Sequence, residues 1–367
     1  MDSLQMQVKN NRIMSLTTAV RKRKLITIYI LTLISSFLYI TLTQTRKKDA
    51  MEYSYHTDRR NGLFNVQNCF KIIWSRNAFS DFIRRENIAN GRNSSTYREF
   101  SCNQFMELTS MGGRIGNQLF QIAALFGISF KYDYIPIIDP SFPLLKYFDL
   151  PNVSRMNLNK LSICSPTLFG IYIECLDSSK NNKGFNMTIH GYFQSWKYFK
   201  NSSDIIREIL KIRTTYMQTA RLFLQDHSKV GFKNICIHVR RADMNIDSNQ
   251  RLGYAVAPVS FIYRAIHFCV THFKKAVFFV LSDDIKWCRK NIKRDVKFSS
   301  FKDPGYDLAL MTLCDHVVVT SGTFGWWGAW LSNGTAIYFN DYPRPNSLLD
   351  EQFSREDYYP PNWIGLS

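Results

Sequence analysis

The sequence lacks the patterns that identify several common kinds of site. Its eight cysteines form no Cys-x-x-Cys pair and its seven histidines form no cluster at metal-ligand spacing, so no zinc site is expected. The spacing Gly-x-Gly-x-x-Gly is absent, which excludes the usual dinucleotide-binding fingerprint. There is no internal repeat and no low-complexity tract. With 45% hydrophobic and 15% aromatic residues, the 367-residue chain can instead form a large globular core.

The net charge of +18 is distributed unevenly along the chain. Residues 1–104 carry 17 Lys and Arg against 7 Asp and Glu, whereas residues 105–367 carry 30 against 22. More than half of the positive excess therefore lies in the first third of the chain. This distribution argues against a nucleic-acid partner and favours an N-terminal part that lies close to a membrane.

An uncharged stretch near the N-terminus predicts a membrane anchor. Residues 25–45 carry no charge, are long enough to span a bilayer as a helix, and follow the basic run Arg21–Lys24. The heavier positive charge on that side predicts a cytoplasmic tail over 1–24, and a polar stem follows over 46–103. A cleaved signal peptide is disfavoured because the apolar run is too long. We therefore expect a single-pass type II membrane protein of the Golgi with a lumenal body.

Glycosylation sequons and cysteines agree with a lumenal body. Sequons begin at Asn93, Asn152, Asn186, Asn201 and Asn333. Cys164 with Cys175, or Cys69 with Cys102, could form disulfides in an oxidising lumen, although the sequence does not establish the pairing. Cys236 and Cys314 lie in apolar stretches and are expected to be buried thiols.

A glycine-rich turn follows the first predicted strand, Phe105–Thr109. Residues Gly112–Gln118 lead into a predicted buried helix, Leu119–Ile128. Amide groups at a helix N-terminus can receive a phosphate or a sugar hydroxyl, and Arg114 and Asn117 are the side chains of interest there. Alternatively, the glycines serve only the backbone of a tight turn.

The segment Ile235–Asp243 is the strongest candidate for chemistry. Its apolar residues predict a strand that runs directly into His238, Arg240, Arg241 and Asp243. A guanidinium matches phosphate in geometry and stays charged, so the pair of arginines suggests an anionic ligand. Because adjacent residues of an extended chain point to opposite faces, we expect one arginine to meet the ligand and the other to pair with a carboxylate such as Asp243. The alternative is an exposed basic pair at a strand end.

Two later segments repeat this arrangement of a strand that ends in polar residues. Ala276–Leu281 is followed by Ser282-Asp-Asp284, where Ser282 or Asp283 is the expected N-cap of the next helix. His316–Val319 is followed by Thr320–Gly325, which opens a tryptophan-rich helix. Further helices are expected over Ser203–Leu224, Pro258–Phe273, Ile285–Lys293 and Gly305–Cys314, and a further strand over Ala336–Phe339.

Three blocks together resemble family 11 of the glycosyltransferases, the galactoside α-1,2-L-fucosyltransferases. They are Gly112–Gln118, His238–Asp243 and Thr320–Trp330, and they occur in the family's order. The resemblance implies an α/β fold of the GT-B type, with two Rossmann-type domains facing a cleft. We place an acceptor-side domain over 104–225, a domain that binds GDP-fucose over 226–345, and a peripheral tail over 346–367.

The resemblance also implies the reaction and the roles of single residues. L-Fucose would move from GDP-fucose to the 2-hydroxyl of a galactose-terminated glycan, with inversion, without a cofactor and without a metal. Arg240 would stabilise the charge on the leaving diphosphate, and Asp243 is the candidate base, unless it braces Arg241. The implied GDP-fucose site comprises Arg114, Asn117, His238, Arg240, Asp283, Ser321 and Thr323, with Asp283 facing guanine.

The chain departs from the family pattern beside the arginines. Ala242 stands where glycine is usual, and Met244–Asp247 differs from the usual aromatic continuation, so we expect a divergent member that differs from the family on its acceptor side. Three other functions remain open: a catalytically silent module that binds GDP-sugars or glycans, a membrane-anchored adhesion or scaffold protein, and a protein O-fucosyltransferase.

Overall fold

A computed structural model describes residues 104–109, 111–132, 134–150, 160–165, 170–175 and 186–367. The predicted tail 1–24, the predicted span 25–45 and the predicted stem 46–103 lie outside the described residues, as do Cys69, Cys102, Asn93 and Asn152. Among the described residues, no helix combines the length and the apolar character that a membrane crossing requires.

The first half of the described chain forms a sheet of four parallel strands in the order β2-β1-β4-β3. The strands are β1 (Phe105–Leu108), β2 (Ile135–Ile137), β3 (Lys160–Cys164) and β4 (Asn186–Ile189). The long helix α1 (Ile115–Tyr132) connects β1 to β2 and is buried along most of its length. This helix extends beyond the predicted Leu119–Ile128 at both ends. At its start, Ile115–Gln118, which were expected to belong to the glycine-rich turn, form the first helical turn.

The second half forms a sheet of six parallel strands in the order β10-β9-β8-β5-β6-β7. The strands are β5 (Lys233–Val239), β6 (Ala276–Ser282), β7 (Lys297–Phe298), β8 (His316–Val319), β9 (Thr335–Phe339) and β10 (Ile364–Leu366). The order is that of a doubly wound nucleotide-binding sheet, in which the strand sequence reverses direction beside the first strand. Here the reversal lies between β5 and β8.

The helices of the second half alternate with its strands. Two helices follow β4 and precede β5 in the chain: α2 (Ser203–Ile209) and α3 (Thr214–His227). The later helices are α4 (Asp247–Leu252), α5 (Val259–Phe273), α6 (Ile285–Asn291), α7 (Pro304–Leu313), α8 (Thr323–Ser332), α9 (Leu348–Glu351) and α10 (Arg355–Tyr358). The predicted α/β class with parallel sheets is confirmed. Both sheets belong to one compact unit, and the predicted boundary at residues 225 and 226 stays a prediction.

Three local expectations are wrong. The single helix expected over Ser203–Leu224 is two helices, separated where Ile212 bridges to Phe148. The N-cap of α6 is Asp284, whose carboxylate accepts from the Trp287 N–H at 3.1 Å. The segment 346–367 is not peripheral, because β10 pairs with β9 in the sheet and buries part of the chain around it.

An aromatic cluster joins the helices of the two halves. The ring of Phe120 in α1 lies 4.5 Å from that of Trp326 in α8, measured between centroids. Phe199 stacks on Trp327 at 5.5 Å, and the Trp326 indole donates to the Tyr358 carbonyl at 2.9 Å. All five side chains are buried in one continuous core. This cluster packs the helices of the two sheets against each other beside the site.

Candidate active site

The site lies where the strand order of the second sheet reverses. In doubly wound sheets the carboxyl ends of the two strands that flank this point diverge and leave a crevice for a ligand. Here those strands are β5, which leads into Arg240, and β8, which leads into Thr320 and Gly322. A cleft of about 750 Å³ opens at this place, and Arg240 and Gly322 lie in its wall.

Arg240 is held from several directions. Its backbone N–H donates to the Thr320 hydroxyl at 2.9 Å, which ties the ends of β5 and β8 together. Its guanidinium donates from Nε to Asp243 at 3.0 Å, and the side chain is only 15% exposed. Gly322 has a φ of 81°, and a Cβ there would lie 2.9 Å from the Arg240 Cδ. The glycine is therefore needed both for the turn and for the passage of the arginine.

Asp243 accepts from an arginine of each half of the molecule. Arg240 and Arg114, which lies at the start of α1, both donate to its Oδ2, the latter at 2.5 Å. Burial favours the neutral acid, but the two guanidinium groups outweigh it and lower the pKa of Asp243 below its usual range. The expectation that Asp243 pairs with Arg241 is wrong, because the turn after β5 folds Asp243 back onto Arg240.

Arg241 points to the opposite side, as the alternation of a strand requires. Its guanidinium lies 3.7 Å from the centre of the Trp287 ring and its Nε lies 3.9 Å from Asp284. Its backbone N–H donates to Asp283 Oδ1 at 2.8 Å. Arg241 thus braces the β5–β6 edge of the cleft, and Asp283 lines the cleft beside it.

The N-termini of α1 and α8 meet at the floor of the cleft. A Cβ on Gly116 would lie 2.5 Å from the backbone N of Phe324, so only glycine permits this approach. Asn117 links the two helices, since its Oδ1 accepts from the Thr323 hydroxyl at 2.8 Å and from Gln194 at 3.1 Å. Each helix N-terminus carries a partial positive charge and free N–H groups. Together with Arg240 and Arg114 they make this floor suited to a multiply charged anion.

The remaining residues of the predicted site are not all in the cleft wall. His238 lines the cleft, and burial, together with the nearby Arg240, lowers its pKa to about 3, so the imidazole is neutral at physiological pH. Its Nδ1 has no hydrogen-bond partner among the described residues. Thr323 lines the cleft, whereas Ser321 is buried and does not line it. The Ser321 hydroxyl has no hydrogen-bond partner among the residues that the structure describes.

Three tyrosines line the cleft. Tyr192 comes from the first half and Tyr254 and Tyr342 from the second half, and most of the Tyr342 side chain is buried in the core. The aromatic residues that follow β4 differ in their surroundings: Tyr192 lines the cleft, whereas Phe193 and Tyr198 are buried in the core. His190 lies outside the cleft lining, with its Nδ1 2.8 Å from the Thr109 hydroxyl.

Asp307 is a cleft residue that sequence reasoning did not single out. It lies in the first turn of α7, lines the cleft and accepts from the Ser299 hydroxyl at 2.6 Å. Burial raises the pKa of Asp307 to about 6, although the bond from Ser299 opposes the shift. An acid in a first turn is common for helix-dipole reasons alone, so the sequence offered no signal for it.

The described residues contain no group of three or more His, Cys, Asp or Glu side chains that could hold a metal ion. The positive charge of the site comes instead from arginines and helix termini. The arrangement can bind a diphosphate at the floor, a flat polar group beside Asp283 and Asp307, and a ring-shaped apolar face along the tyrosines.

Comparison with known proteins agrees with this geometry. The model of the family described as "Glycosyl transferase family 11" matches residues 57–367. The chain is 28% identical over 273 residues to galactoside 2-alpha-L-fucosyltransferase Sec1 of Mus musculus, which covers 70% of this chain and 72% of that protein. It is also 28% identical over 269 residues to galactoside alpha-(1,2)-fucosyltransferase 2 of Rattus norvegicus, covering 69% and 75%.

Solved structures show a more distant likeness. A mutant of Arabidopsis thaliana FUT1 in complex with GDP is 13% identical, with a TM-score of 0.47, and the match covers 78% of this chain and 80% of that one. NodZ alpha-1,6-fucosyltransferase co-crystallised with GDP is 13% identical, with a TM-score of 0.45, covering 65% and 96%.

Proposed function

The chain belongs to glycosyl transferase family 11, and from this premise we propose that it transfers L-fucose from GDP-fucose to the 2-hydroxyl of a terminal galactoside, with inversion. The observation that carries the proposal is the position of Arg240, which lies at the strand reversal and beside two helix N-termini. The curated relatives named above are galactoside 2-α-fucosyltransferases, which supports this donor and this linkage.

The chemical barrier is the departure of GDP from a sugar that becomes oxocarbenium-like. Arg240 offers a largely buried, permanently charged guanidinium to the β-phosphate. Its Nε and Nη2 are bonded to Asp243, so its Nη1 would meet the phosphate, and the amides of α8 offer neutral donors beside it. One donor aimed at charge that develops in the transition state is worth about 3–4 kcal/mol in other enzymes. These groups can stabilise the leaving diphosphate in the place of a metal ion.

Asp243 is better suited to position the arginines than to act as the base. A general base works best when its pKa lies near the working pH, and here two guanidinium groups hold the pKa of Asp243 down. Its carboxylate keeps Arg240 and Arg114 close together against their mutual repulsion. Both arginines can then face one diphosphate.

The guanine ring is proposed to lie against the carboxylates at the ends of β6 and in α7. Guanine presents two adjacent N–H donors, which only an acceptor can satisfy. Asp283 has one oxygen bonded to the Arg241 N–H, and Asp307 has one bonded to the Ser299 hydroxyl, so each keeps an oxygen for the base. Loss of guanine preference in Asp283→Asn or in Asp307→Asn, measured with GDP against ADP, will assign the role.

The galactoside is proposed to lie along Tyr192, Tyr254 and Tyr342. Aromatic faces pack on the apolar face of a sugar, and phenol hydroxyls can bond its edge. These residues come from both halves of the molecule, so the acceptor would contact both halves.

The decisive experiment supplies the purified full-length chain with radiolabelled GDP-fucose, a panel of β-galactosides and EDTA. Label found on galactose O2 with the chelator present, and lost in Arg240→Ala but not in the exposed-residue control Arg251→Ala, will support the enzyme and a metal-independent site together. Binding of GDP without transfer to any acceptor will favour a silent binding module. Transfer to a peptide hydroxyl will favour a protein O-fucosyltransferase.

The location is proposed to be the Golgi membrane, with residues 25–45 as the single span and the body in the lumen. The uncharged stretch and its basic flanks support this topology. Protease protection of the body in sealed microsomes, with the N-terminus accessible to protease, is the expected result. A body that is digested without detergent will contradict it.

A further inference from the structure

Two buried cysteines of the second sheet lie side by side. Cys236 is in the middle of β5, and Cys314 lies between α7 and β8, the strand that pairs with β5. Their sulfur atoms are 2.8 Å apart. Non-bonded carbon atoms approach to roughly 3.5–4.0 Å, and sulfur is larger, whereas a disulfide bond is about 2.05 Å long. The two sulfurs are therefore closer than ordinary packing allows.

A second observation indicates the redox environment in which the chain folds. Cys164 and Cys175 form a disulfide that closes a short loop beside the first sheet. Such bonds persist in oxidising compartments and are rare where glutathione and thioredoxin keep thiols reduced. A chain that keeps this disulfide folds where the Cys236–Cys314 pair can also be oxidised.

We propose that Cys236 and Cys314 form a second disulfide in the mature protein, which cross-links β5 to the connection between α7 and β8. In the structure both are free thiols. The thiolate of one attacks the disulfide of an oxidant, such as a protein dithiol oxidase or oxidised glutathione, and releases one reduced thiol. The second cysteine then attacks the sulfur of the first in this mixed disulfide, forms the Cys236–Cys314 bond and releases the second thiol of the oxidant. Two protons leave the cysteines and two electrons reduce the oxidant.

Burial determines when this bond can form. Cys236 is fully buried and Cys314 nearly so. Burial, reinforced by the contact with Cys314, raises the pKa of the Cys236 thiol well above its usual value, so little thiolate exists in the folded chain. Oxidation therefore takes place during folding, before α7 and α8 cover the strand.

The cross-link would act on both walls of the nucleotide half of the cleft. Cys236 is a residue of β5 and lies four residues before Arg240 in the sequence. Cys314 follows the end of α7 and lies seven residues after Asp307. A bond between them fixes the end of α7 against the strand that presents Arg240. This inference is independent of the chemistry proposed for the site.

Differential alkylation of the full-length chain, produced in a secretory host, tests the proposal directly. Free thiols are blocked with one isotopic form of N-ethylmaleimide in acid-quenched, denatured protein, and thiols released by reduction are then blocked with another. We expect Cys236 and Cys314 to carry the second label and to appear as one cross-linked peptide before reduction. The buried thiols Cys269 and Cys288 serve as internal controls and should carry the first label. First label on both Cys236 and Cys314 would overturn the proposal.

Thermal unfolding of serine variants gives a second, independent measurement. Cys236→Ser and Cys314→Ser should each lower Tm, and the double variant should lower it little further, because either change alone removes the bond. Cys269→Ser is the matched control for loss of a buried thiol. Dithiothreitol should lower Tm more in the wild type than in Cys236→Ser. Additive losses, together with an equal effect of reductant on both proteins, would contradict the bond.

Discussion

At the scale of single residues, the guanidinium of Arg240 is the feature on which activity should depend most. In Arg240→Lys the charge remains, but the two bonds to Asp243 that orient the group are lost. We therefore expect kcat to fall by about 10²–10³-fold. Steady-state rates with GDP-fucose and a β-galactoside will measure this, with Arg251→Lys, at an exposed position on α4, as the control. Unchanged kcat would show that Arg240 is not the group that faces the leaving diphosphate.

Asp307 should impose a pH dependence on stability. Its folded pKa is raised from 3.8 to about 6, so the folded state prefers the protonated acid. The stabilisation is complete below pH 3.8 and is lost as the pH rises through 6. Asp307→Asn should therefore be more stable than the wild type at pH 7.5, by on the order of 2–3 kcal/mol, and equally stable near pH 3.5.

Denaturant unfolding at the two pH values measures this difference. Asp295→Asn is the matched control, since Asp295 is exposed and outside the cleft lining. A gain in stability that is the same at both pH values would show that burial of Asp307 is not the cause. A simultaneous loss of GDP affinity would indicate that the carboxyl is kept for recognition.

The variant Asp243→Asn distinguishes a positioning role of this carboxylate from a role as general base. If Asp243 only holds the two arginines, the variant loses activity while the acid limb of its pH–rate profile stays where it is in the wild type. If Asp243 is the base, that limb disappears. We expect the first result, because the pKa of Asp243 is lowered by Arg240 and Arg114 against the effect of burial.

Residue types at strand ends could be predicted from the sequence, but their partners could not. Arg240, Asp283 and Thr323 were expected beyond the carboxyl ends of strands, and they lie in the cleft wall. The partner of Asp243 depended on the turn after β5, in which the Asn245 N–H donates to the Arg241 carbonyl at 2.8 Å. The alternation of side chains along a strand does not apply within that turn, so it could not predict the partner of Asp243.

At the scale of helices and strands, the contact between α1 and α8 should be sensitive to one methyl group. In Gly116→Ala the new Cβ would lie 2.5 Å from the Phe324 backbone, so the helix N-termini must separate. Overpacking of this kind typically costs about 1–3 kcal/mol. We expect a higher KM for GDP-fucose, measured in steady state.

Gly231→Ala is the control for this substitution. Gly231 lies before β5 with a φ of 76°, and nothing lies within 4 Å of a Cβ built there. It should lose some stability through its backbone but keep its KM. Equal effects of the two substitutions on KM would show that the helix contact does not shape the site.

Most helices and strands could be predicted because their apolar residues repeat with a helix or strand period over many positions. The exceptions follow from tertiary contacts. Ser203–Leu224 has helical spacing throughout, yet the chain turns between α2 and α3 so that Ile212 can bridge to Phe148. At α6, Ser282 or Asp283 was the expected cap, but β6 extends to Ser282 and the helix begins at Ile285, which makes Asp284 the cap.

At the scale of the whole molecule, the described sequons differ in accessibility. Asn201 and Asn333 are exposed, whereas Asn186 lies in β4 and its Oδ1 accepts from the Phe105 N–H at 2.9 Å. β4 lies between β1 and β3, so a glycan on Asn186 would have to fit beside a strand that is paired on both sides. We expect glycosidase-sensitive mass on Asn201 and Asn333 but not on Asn186, measured with Asn→Gln variants in a secretory host. Glycan on Asn186 would contradict the strand pairing there.

The class of the molecule followed from its sequence, and the course of its C-terminus did not. Strands that alternate with helices predicted parallel sheets. The polar residues of 346–367 suggested a peripheral tail, yet Tyr358 and Tyr359 are buried and Ile364–Leu366 extend the sheet. A strand of three residues carries too short a pattern to be recognised by alternation.

The aromatic cluster between α1 and α8 has a mechanical consequence. Enzymes built as a clamshell close by rotating two lobes about a hinge, which requires an interface that slides or opens. Here the buried rings of Phe120, Trp326 and Trp327 belong to one core that both lobes share. Opening would expose these rings to water, so we expect substrates to enter and leave a groove of nearly constant width.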